Sequence, residues 1–231
     1  MRIPLTKYGW PQVAVYPAAA LAAMAVVAIV ARGHLPTWAI VTVEAVLGAL
    51  LIWSLSFFRD PERSCPSDRN LLLAPADGTI TNIDEVEEDN FIRGKAIRIG
   101  IFLSIFSTHI NRAPCNVKVE RILYGRGKFE SARNPHSGRV NESNDLALVR
   151  TDRPTDKLIV RQISGAIARR IVCAVAEGQE LAGGEKFGMI KFGSRTELYL
   201  PVRKEAMCLV EIGDKVKAGL TALVRYEQCQ D

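Results

Sequence analysis

The chain has 231 residues and a formal net charge of +5, a length that allows one ordinary domain plus an appendage. The basic residues form no strip interleaved with aromatic side chains and show no helix-turn-helix spacing, so we expect no nucleic-acid partner. The cysteines are odd in number and include no Cys-x-x-Cys pair, which disfavours a disulfide scaffold or a zinc site and indicates reduced thiols: Cys65, Cys115, Cys173, Cys208 and Cys229.

Two apolar segments lie near the start of the chain. Val13 to Ala31 carries no charge, and Pro36 to Phe58 carries only Glu44. Each segment is long enough to cross a hydrocarbon core of about 30 Å. Only residues 32–35 separate them, so we predict a hydrophobic helical hairpin over residues 1–58 that anchors the protein to a membrane. Two arrangements remain open, a hairpin that spans the membrane and one that lies in its interface. A cleaved secretory signal is disfavoured because the second segment follows at once.

Basic residues flank the hairpin, whereas its connecting loop contains only Arg32. The flanking residues are Arg2 and Lys7 before the hairpin, and Arg59, Arg63 and Arg69 after it. Because positive residues stay inside, both ends of the hairpin are expected in the cytoplasm. This predicts a protein on the cytoplasmic face of the cell membrane, where a net positive charge suits anionic lipid.

The remainder of the chain is predicted to be mainly β. Residues 59–70 are polar and contain prolines, as linkers do. After them, short alternating segments bounded by turn residues dominate, and no long stretch has a helical period. The predicted strands are Leu71–Ala74, Gly78–Val86, Ala96–Leu103, Asn116–Tyr124, Asp145–Thr151, Lys157–Ile163, Arg170–Val175, Gly188–Leu200, Met207–Ile212 and Thr221–Tyr226. We therefore expect a β domain with a few short helices over residues 71–231.

The segment from Ile212 to Leu220 contains a Gly-Asp-x-Val-x-x-Gly turn and resembles barrel-sandwich hybrid domains, the fold of lipoyl and biotinyl carriers. The predicted fold is therefore a barrel-sandwich-hybrid-like β core preceded by the helical hairpin. This resemblance also raises an alternative function, a membrane-anchored adaptor or carrier without catalysis. A carrier needs an Asp-Lys-Ala or Met-Lys-Met attachment site and an adaptor usually has heptads, and the sequence contains none of these.

A candidate nucleophile lies in the predicted strand Gly188–Leu200. The alternation over this segment places Ser194 on the apolar face. Gly193 precedes it, and glycine has no Cβ to shield its carbonyl. A buried hydroxyl beside such a carbonyl is arranged for attack on the chain itself. A hydrogen-bonded strand serine next to a glycine bulge is the alternative on these two residues alone.

Two further residues are candidates for acid–base chemistry. His109 follows an apolar run and lies beside basic Arg112, so it is a candidate general base as well as an ordinary turn histidine. Asp77 lies in an Ala-Asp-Gly turn that suits either a simple turn or a carboxylate held near a histidine.

Five segments together indicate a family. In chain order they are Pro75–Gly78, Phe102–Ser104 leading to His109–Pro114, Gly127–Phe129, Asn141–Glu142 and Phe192–Ser194. They resemble phosphatidylserine decarboxylase proenzymes, specifically the short class with a Gly-Ser-Arg processing site. The resemblance covers essentially the whole region after the linker, and the apolar segments suit a family that works on a membrane lipid.

The resemblance implies a self-processing enzyme. Ser194 attacks the Gly193 carbonyl, β-elimination separates chains 1–193 and 194–231, and residue 194 becomes a covalent pyruvoyl group. The two chains stay together as a heterodimer, and higher oligomers are left open. The amine of phosphatidylserine, in an anionic membrane, then forms a Schiff base with the pyruvoyl carbonyl and loses CO2 to give phosphatidylethanolamine. No metal or diffusible cofactor is implied.

The resemblance also implies roles for the remaining site residues. Asp77 and His109 match the aspartate and histidine that assist the serine. Long-class members carry a second histidine three positions on, where this chain has Arg112. Either His109 serves both self-cleavage and decarboxylation, or Arg112 binds the anionic groups of the substrate.

Overall fold

The computed structural model describes residues 4–31, 33–166, 170–191 and 193–227. Of the residues discussed above, Arg2, Arg32, Phe192 and Cys229 lie outside these ranges. The chain divides into two compact units, residues 1–62 and 63–231. The helices are α1 (Gln12–Val30), α2 (Thr37–Phe57) and α3 (Ser137–Val140), and a 3-10 turn covers Lys7–Gly9. The strands are β1 (Leu71–Leu73), β2 (Gly78–Glu88), β3 (Gly94–Leu103), β4 (Ile110–Arg112), β5 (Val117–Gly125), β6 (Ser143–Arg150), β7 (Lys157–Ile163), β8 (Arg170–Cys173), β9 (Glu180–Leu181), β10 (Lys186–Lys191), β11 (Ser194–Pro201), β12 (Ala206–Cys208), β13 (Lys215–Val216) and β14 (Ala222–Tyr226).

The first unit is the predicted hairpin of apolar helices. Helices α1 and α2 are each long and apolar enough to cross a membrane. Their side chains are apolar around most of the circumference, and a helix satisfies its backbone polar groups internally, as lipid requires. The segment before α1 pairs with the end of α2, because Thr6 N–H donates to the Phe58 carbonyl (3.0 Å) and Asp60 N–H donates to the Pro4 carbonyl (2.7 Å). The predicted helical pair is confirmed and supports association with a membrane.

The second unit is mainly β, as predicted. Eight strands form one curled sheet, a half-barrel with the order β13-β2-β3-β11-β7-β6-β5-β9. Two three-stranded sheets, β1-β14-β12 and β4-β10-β8, complete the unit, and the paired strands run antiparallel. The core between them is mainly apolar and includes Ile99, Leu146, Val160, Phe187 and Leu198.

The predicted continuous strand Gly188–Leu200 is wrong. Strand β10 ends at Lys191 and β11 begins at Ser194, and the two strands belong to different sheets. Gly193 has a φ of +59°, a conformation that a side chain would strain, and it lies where the chain passes from one sheet to the other. The other face of this segment is buried as well, since Arg195 and Glu197 are both fully buried.

Residues 63–70, part of the predicted linker, contain no helix or strand but bond to the β unit. The Arg150 guanidinium donates to the Arg69 carbonyl, and Tyr226 N–H donates to the Asn70 carbonyl (2.9 Å). This segment therefore belongs to the second unit.

Candidate active site

Ser194 opens β11 on the inward face of the large sheet. It pairs with Leu103 of β3, and the residue is completely buried. Its Oγ has no hydrogen-bond partner among the described residues. An unsatisfied buried hydroxyl costs about 1–3 kcal/mol, so a serine at this position is not explained by stability. The expectation that Ser194 lies on the apolar side is confirmed.

The carbonyl of Gly193 is tightly enclosed. A Cβ placed on Gly165 would lie only 2.3 Å from the Gly193 oxygen, so the bare Cα of Gly165 forms one wall of the carbonyl's site. A Cβ on Gly193 itself would lie 3.7 Å from Cγ2 of Ile105. The Gly193 carbonyl, predicted from the sequence as the group that Ser194 attacks, therefore lies close against the bare Cα of Gly165.

His109 immediately precedes β4 and is completely buried. Its Nδ1 lies 2.9 Å from the Ser107 carbonyl, and Ile190 N–H donates to the His109 carbonyl (3.2 Å). A carbonyl can only accept, so Nδ1 carries the proton in the neutral ring and Nε2 keeps the basic lone pair. Nε2 is buried as well. The geometry therefore fixes the tautomer that a general base at Nε2 needs.

A chain of buried amide groups links the strands beneath the site. Asn144 Nδ2 donates to Gln162 Oε1 (3.0 Å), Gln162 Nε2 donates to Asn111 Oδ1 (2.9 Å), and Asn111 Nδ2 donates to Thr196 Oγ1 (3.1 Å). The sequence argument assigned these residues no role. The sequence does contain a signal for Gln162, because its side chain shares the inward-facing side of β7 with apolar residues.

This amide chain links the two strands that carry or follow the candidate residues Ser194 and His109. Asn111 and His109 are two positions apart, and so are Thr196 and Ser194. Residues two positions apart in an extended chain share a face, so the Asn111–Thr196 bond turns the His109 side of β4 towards the Ser194 side of β11.

Asp77 immediately precedes β2, and its carboxylate is held by an ion pair. Arg63 donates from both terminal nitrogens, Nη1 to Oδ1 (2.6 Å) and Nη2 to Oδ2 (2.7 Å). Ala218 N–H also donates to Oδ1 (2.8 Å), and Arg63 Nη1 reaches the Ala218 carbonyl (2.7 Å). Bidentate arginine–carboxylate pairs are the strong ones, so this carboxylate is fixed in place. Arg63 was predicted only as a flanking charge of the hairpin.

Strand register brings Asp77 to the end of the sheet that holds Ser194. Thr79 pairs with Phe102 across β2 and β3, and the next residue, Leu103, pairs with Ser194 across β3 and β11. Asp77 and Ser194 therefore lie at the same end of the strands, with β3 between the strands β2 and β11 to which they are attached.

Arg112 ends β4 next to the Asp77 group. It is nearly buried, and its Nη1 donates to the Gly184 carbonyl (2.9 Å). A Cβ on Gly219 would lie 3.0 Å from Cδ of Arg112, and Gly219 follows Ala218, which binds Asp77. Of the predicted residues, Arg112 and Asp77 thus lie close together.

Asn141 ties a long loop to the wall of the Gly193 site. Its Nδ2 donates to the carbonyls of Glu130 and Ser164 (2.8 Å each), and its Oδ1 accepts from Glu130 N–H (2.9 Å). Ser164 is the residue before Gly165. Asn141, one of the residues that carry the family resemblance, therefore connects the loop to the glycine that borders the carbonyl.

The opposite face of β11 carries a buried ionic network. Arg195 donates to Glu197 (2.7 Å) and to Thr81 (2.7 Å), and the Tyr199 hydroxyl donates to Glu197 (2.7 Å). Burial, together with the negative charge of Glu197, raises the pKa of Tyr199. This network anchors β11 from the residue directly after Ser194.

Comparison with known proteins identifies the family. The family model described as phosphatidylserine decarboxylase matches residues 50–224. The chain is 42% identical over 229 residues to a phosphatidylserine decarboxylase proenzyme of Symbiobacterium thermophilum, with 99% of both chains covered. A proenzyme of the same name from Geobacter metallireducens is 37% identical over 220 residues, 95% of each chain. One from Desulfotalea psychrophila is 43% identical over 171 residues, which cover 74% of this chain and 78% of the relative.

The β unit, its buried serine and these matches place the chain in a class of lyases that are made as proenzymes. The chain belongs to the phosphatidylserine decarboxylase family.

Proposed function

We propose that the chain is a proenzyme that converts phosphatidylserine to phosphatidylethanolamine with a pyruvoyl group made from its own Ser194. The observation that carries this proposal is the buried, unbonded Ser194 hydroxyl beside a Gly193 carbonyl enclosed by Gly165. The names of the relatives support the substrate and the proenzyme character.

Self-cleavage starts with the chain's own groups. The Ser194 Oγ attacks the Gly193 carbonyl carbon, and the peptide C–N bond breaks to leave an ester and a free amine. Removal of the Cα proton of residue 194 then breaks its Cβ–Oγ bond, which releases Gly193 as a carboxylate and leaves dehydroalanine. The imine tautomer takes up one water and loses ammonia, which leaves the pyruvoyl group. The backbone is cut without hydrolysis.

His109 is the proposed base for the hydroxyl proton. The Ser107 carbonyl holds the Nδ1 proton, which leaves Nε2 to accept. Asp77, which matches the aspartate that assists the serine in the family and which Arg63 holds at the same end of the sheet, is proposed to assist this step.

The site fits the proposed group, since the buried Ser194 position offers an apolar, water-poor environment. There the pyruvoyl carbonyl supplies an electron sink for the electrons released when CO2 leaves. Arg112 is proposed to hold the anionic groups of the substrate, and its position beside the Asp77 group supports this role. The alternative assigns both self-cleavage and decarboxylation to His109.

The apolar helices are proposed to hold the enzyme at the cytoplasmic face of the cell membrane, and the chains 1–193 and 194–231 are proposed to remain associated. Strand pairing supports the second point. Strand β11, which would begin the smaller chain, lies between β3 and β7 of the larger one.

The test compares two buried serines. Ser194 and Ser137 are both completely buried with unpartnered hydroxyls among the described residues. The variant Ser194→Ala should remain one chain and release no CO2 from phosphatidylserine, whereas Ser137→Ala should cut itself and stay active. An active Ser194→Ala protein would contradict the proposal.

A further inference from the structure

Two loops border the buried serine. Residues 104–108 contact Gly193 through Ile105, as described above. Residues 126–136 contact Gly165 through Ala132, whose Cβ lies 3.1 Å from the Cβ position of that glycine. These two segments, the site loops, therefore surround the place where the chain is proposed to react.

The site loops expose large apolar side chains. Phe106 is 70% exposed and Phe129 is 39% exposed. Single exposed apolar residues are common on protein surfaces. Two phenylalanines on polar loops that border one buried reactive group are more informative, because such loops otherwise favour small polar residues.

The longer of the two site loops is basic. Residues 126–136 contain three basic side chains, all exposed, against one acidic side chain, Glu130, which gives a net charge of +2 with His136 neutral. The basic residues are Arg126, Lys128 and Arg133. Lys128 pairs with Glu130 at 3.9 Å, and this ion pair is solvent-exposed and therefore weak. Exposed aromatic rings among basic side chains are the composition of surfaces that dock on anionic bilayers.

We propose that the site loops dock on the anionic bilayer and form the entrance for the lipid substrate. This inference rests on the proposed function. The phenylalanines enter the interface, the basic residues pair with lipid phosphates, and the acyl chains of the substrate stay in the bilayer while its head group reaches residue 194. The residues of this surface all belong to the β unit.

The test uses the full chain in vesicles of phosphatidylglycerol with a minor fraction of phosphatidylserine. CO2 release from these vesicles is compared with release from a short-chain, water-soluble phosphatidylserine below its micelle concentration. The variants are Phe106→Ser, the double variant Phe106→Ser with Phe129→Ser, and Lys128→Ser. Matched controls are Val202→Ser and Lys204→Ser, which are exposed just beyond the end of β11 farthest from Ser194. Completeness of self-cleavage on a gel reports the fold of each variant.

The double variant should lower the ratio of bilayer turnover to soluble turnover by about tenfold or more, because the two aromatic rings that insert into the bilayer interface are lost. Lys128→Ser should lower the same ratio by about fivefold, and a high salt concentration should remove this effect. The controls should keep the wild-type ratio. An unchanged ratio in the double variant, or equal losses on both substrates, would overturn the docking surface. A wild-type protein that decarboxylates neither substrate would instead refute the proposed function and this inference with it.

Discussion

At the scale of single residues, His109 is the group on which the rate of self-cleavage should depend most, after Ser194 itself. A positioned base contributes about 10²–10⁴-fold to a proton transfer. His109→Ala should therefore slow cleavage by about that factor in a gel time course. The exposed His136, in a turn of the loop 126–136, provides the control, and His136→Ala should cut at the wild-type rate. Equal rates in both variants would remove His109 from the processing step.

Gly165 should be as sensitive, for a steric reason. A methyl group there would meet the Gly193 oxygen at 2.3 Å, so Gly165→Ala must displace the carbonyl. A displacement of about 1 Å can cost about 10²-fold in rate, and we expect cleavage to slow by about that amount. Gly94→Ala is the control, because a Cβ on Gly94 has no neighbour within 4 Å among the described residues. Normal cleavage by Gly165→Ala would show that the carbonyl's position is not critical.

The candidate site residues could be chosen from the sequence, but the contacts that hold them could not. The local alternation of side chains predicts that Ser194 faces the apolar side of its strand, and this prediction is confirmed. The Arg63–Asp77 pair, the Ser107–His109 bond and the Asn111–Thr196 bond join residues whose contacts depend on turns and on packing between sheets. No local pattern encodes those contacts.

At the scale of elements, the turn after β2 should make stability depend on pH. Glu88 is nearly buried, and its carboxylate accepts from the N–H groups of Asn90 (3.1 Å), Phe91 (2.9 Å) and Ile92 (2.6 Å). Burial alone raises the pKa of Glu88. The three backbone N–H donors together lower it by a larger amount, so the net pKa lies below its ordinary value. The stabilisation is therefore complete above the unfolded-state pKa and disappears as the pH falls through the folded-state pKa.

Glu88→Gln should accordingly lower the free energy of unfolding by about 1–3 kcal/mol at pH 7. The difference from the parent should be smaller at pH 3, because the stabilisation is lost as the carboxylate is protonated. The measurement is thermal unfolding of the full chain in detergent, in a Ser194→Ala background so that every sample is one uncut chain. The exposed neighbour Glu87 is the control. A Glu88→Gln effect that is the same at both pH values would contradict the assignment.

Element prediction was accurate where alternation and turns were local, as in β7, whose bounds were predicted as Lys157–Ile163. The prediction failed between β10 and β11 because the alternation of inward-facing side chains continues unbroken where the chain leaves one sheet and enters the other. A period of two does not distinguish one long strand from two strands that follow in phase. The positive φ of Gly193 marks the break, and glycine in the sequence permits such a conformation without requiring it.

At the scale of the whole molecule, the boundary between the two units makes a prediction about truncation. A chain that starts at residue 59 keeps Arg63 and should still cut itself, because the contacts of Ser194, His109 and Asp77 described above lie within residues 63–231. A chain that starts at residue 64 lacks Arg63 and leaves Asp77 without its charged partner. Both side chains are mostly buried, so the loss of Arg63 should destabilise the Asp77 group, and this chain should cut at least tenfold more slowly or fail to fold.

Substitutions in the full chain separate this effect from truncation itself. Arg63→Ala should reproduce the slow cleavage, and Arg59→Ala should not. A chain starting at residue 59 that folds but never cuts would make the apolar helices part of the catalytic fold.

The intact mass of the purified protein under denaturing conditions tests the central claim most directly. We predict two chains, residues 1–193 and 194–231, with the smaller chain lighter by one ammonia than the same peptide beginning with serine. That mass identifies a pyruvoyl terminus and excludes ordinary hydrolysis. A single chain of 25.4 kDa that nevertheless releases CO2 from phosphatidylserine would contradict the account.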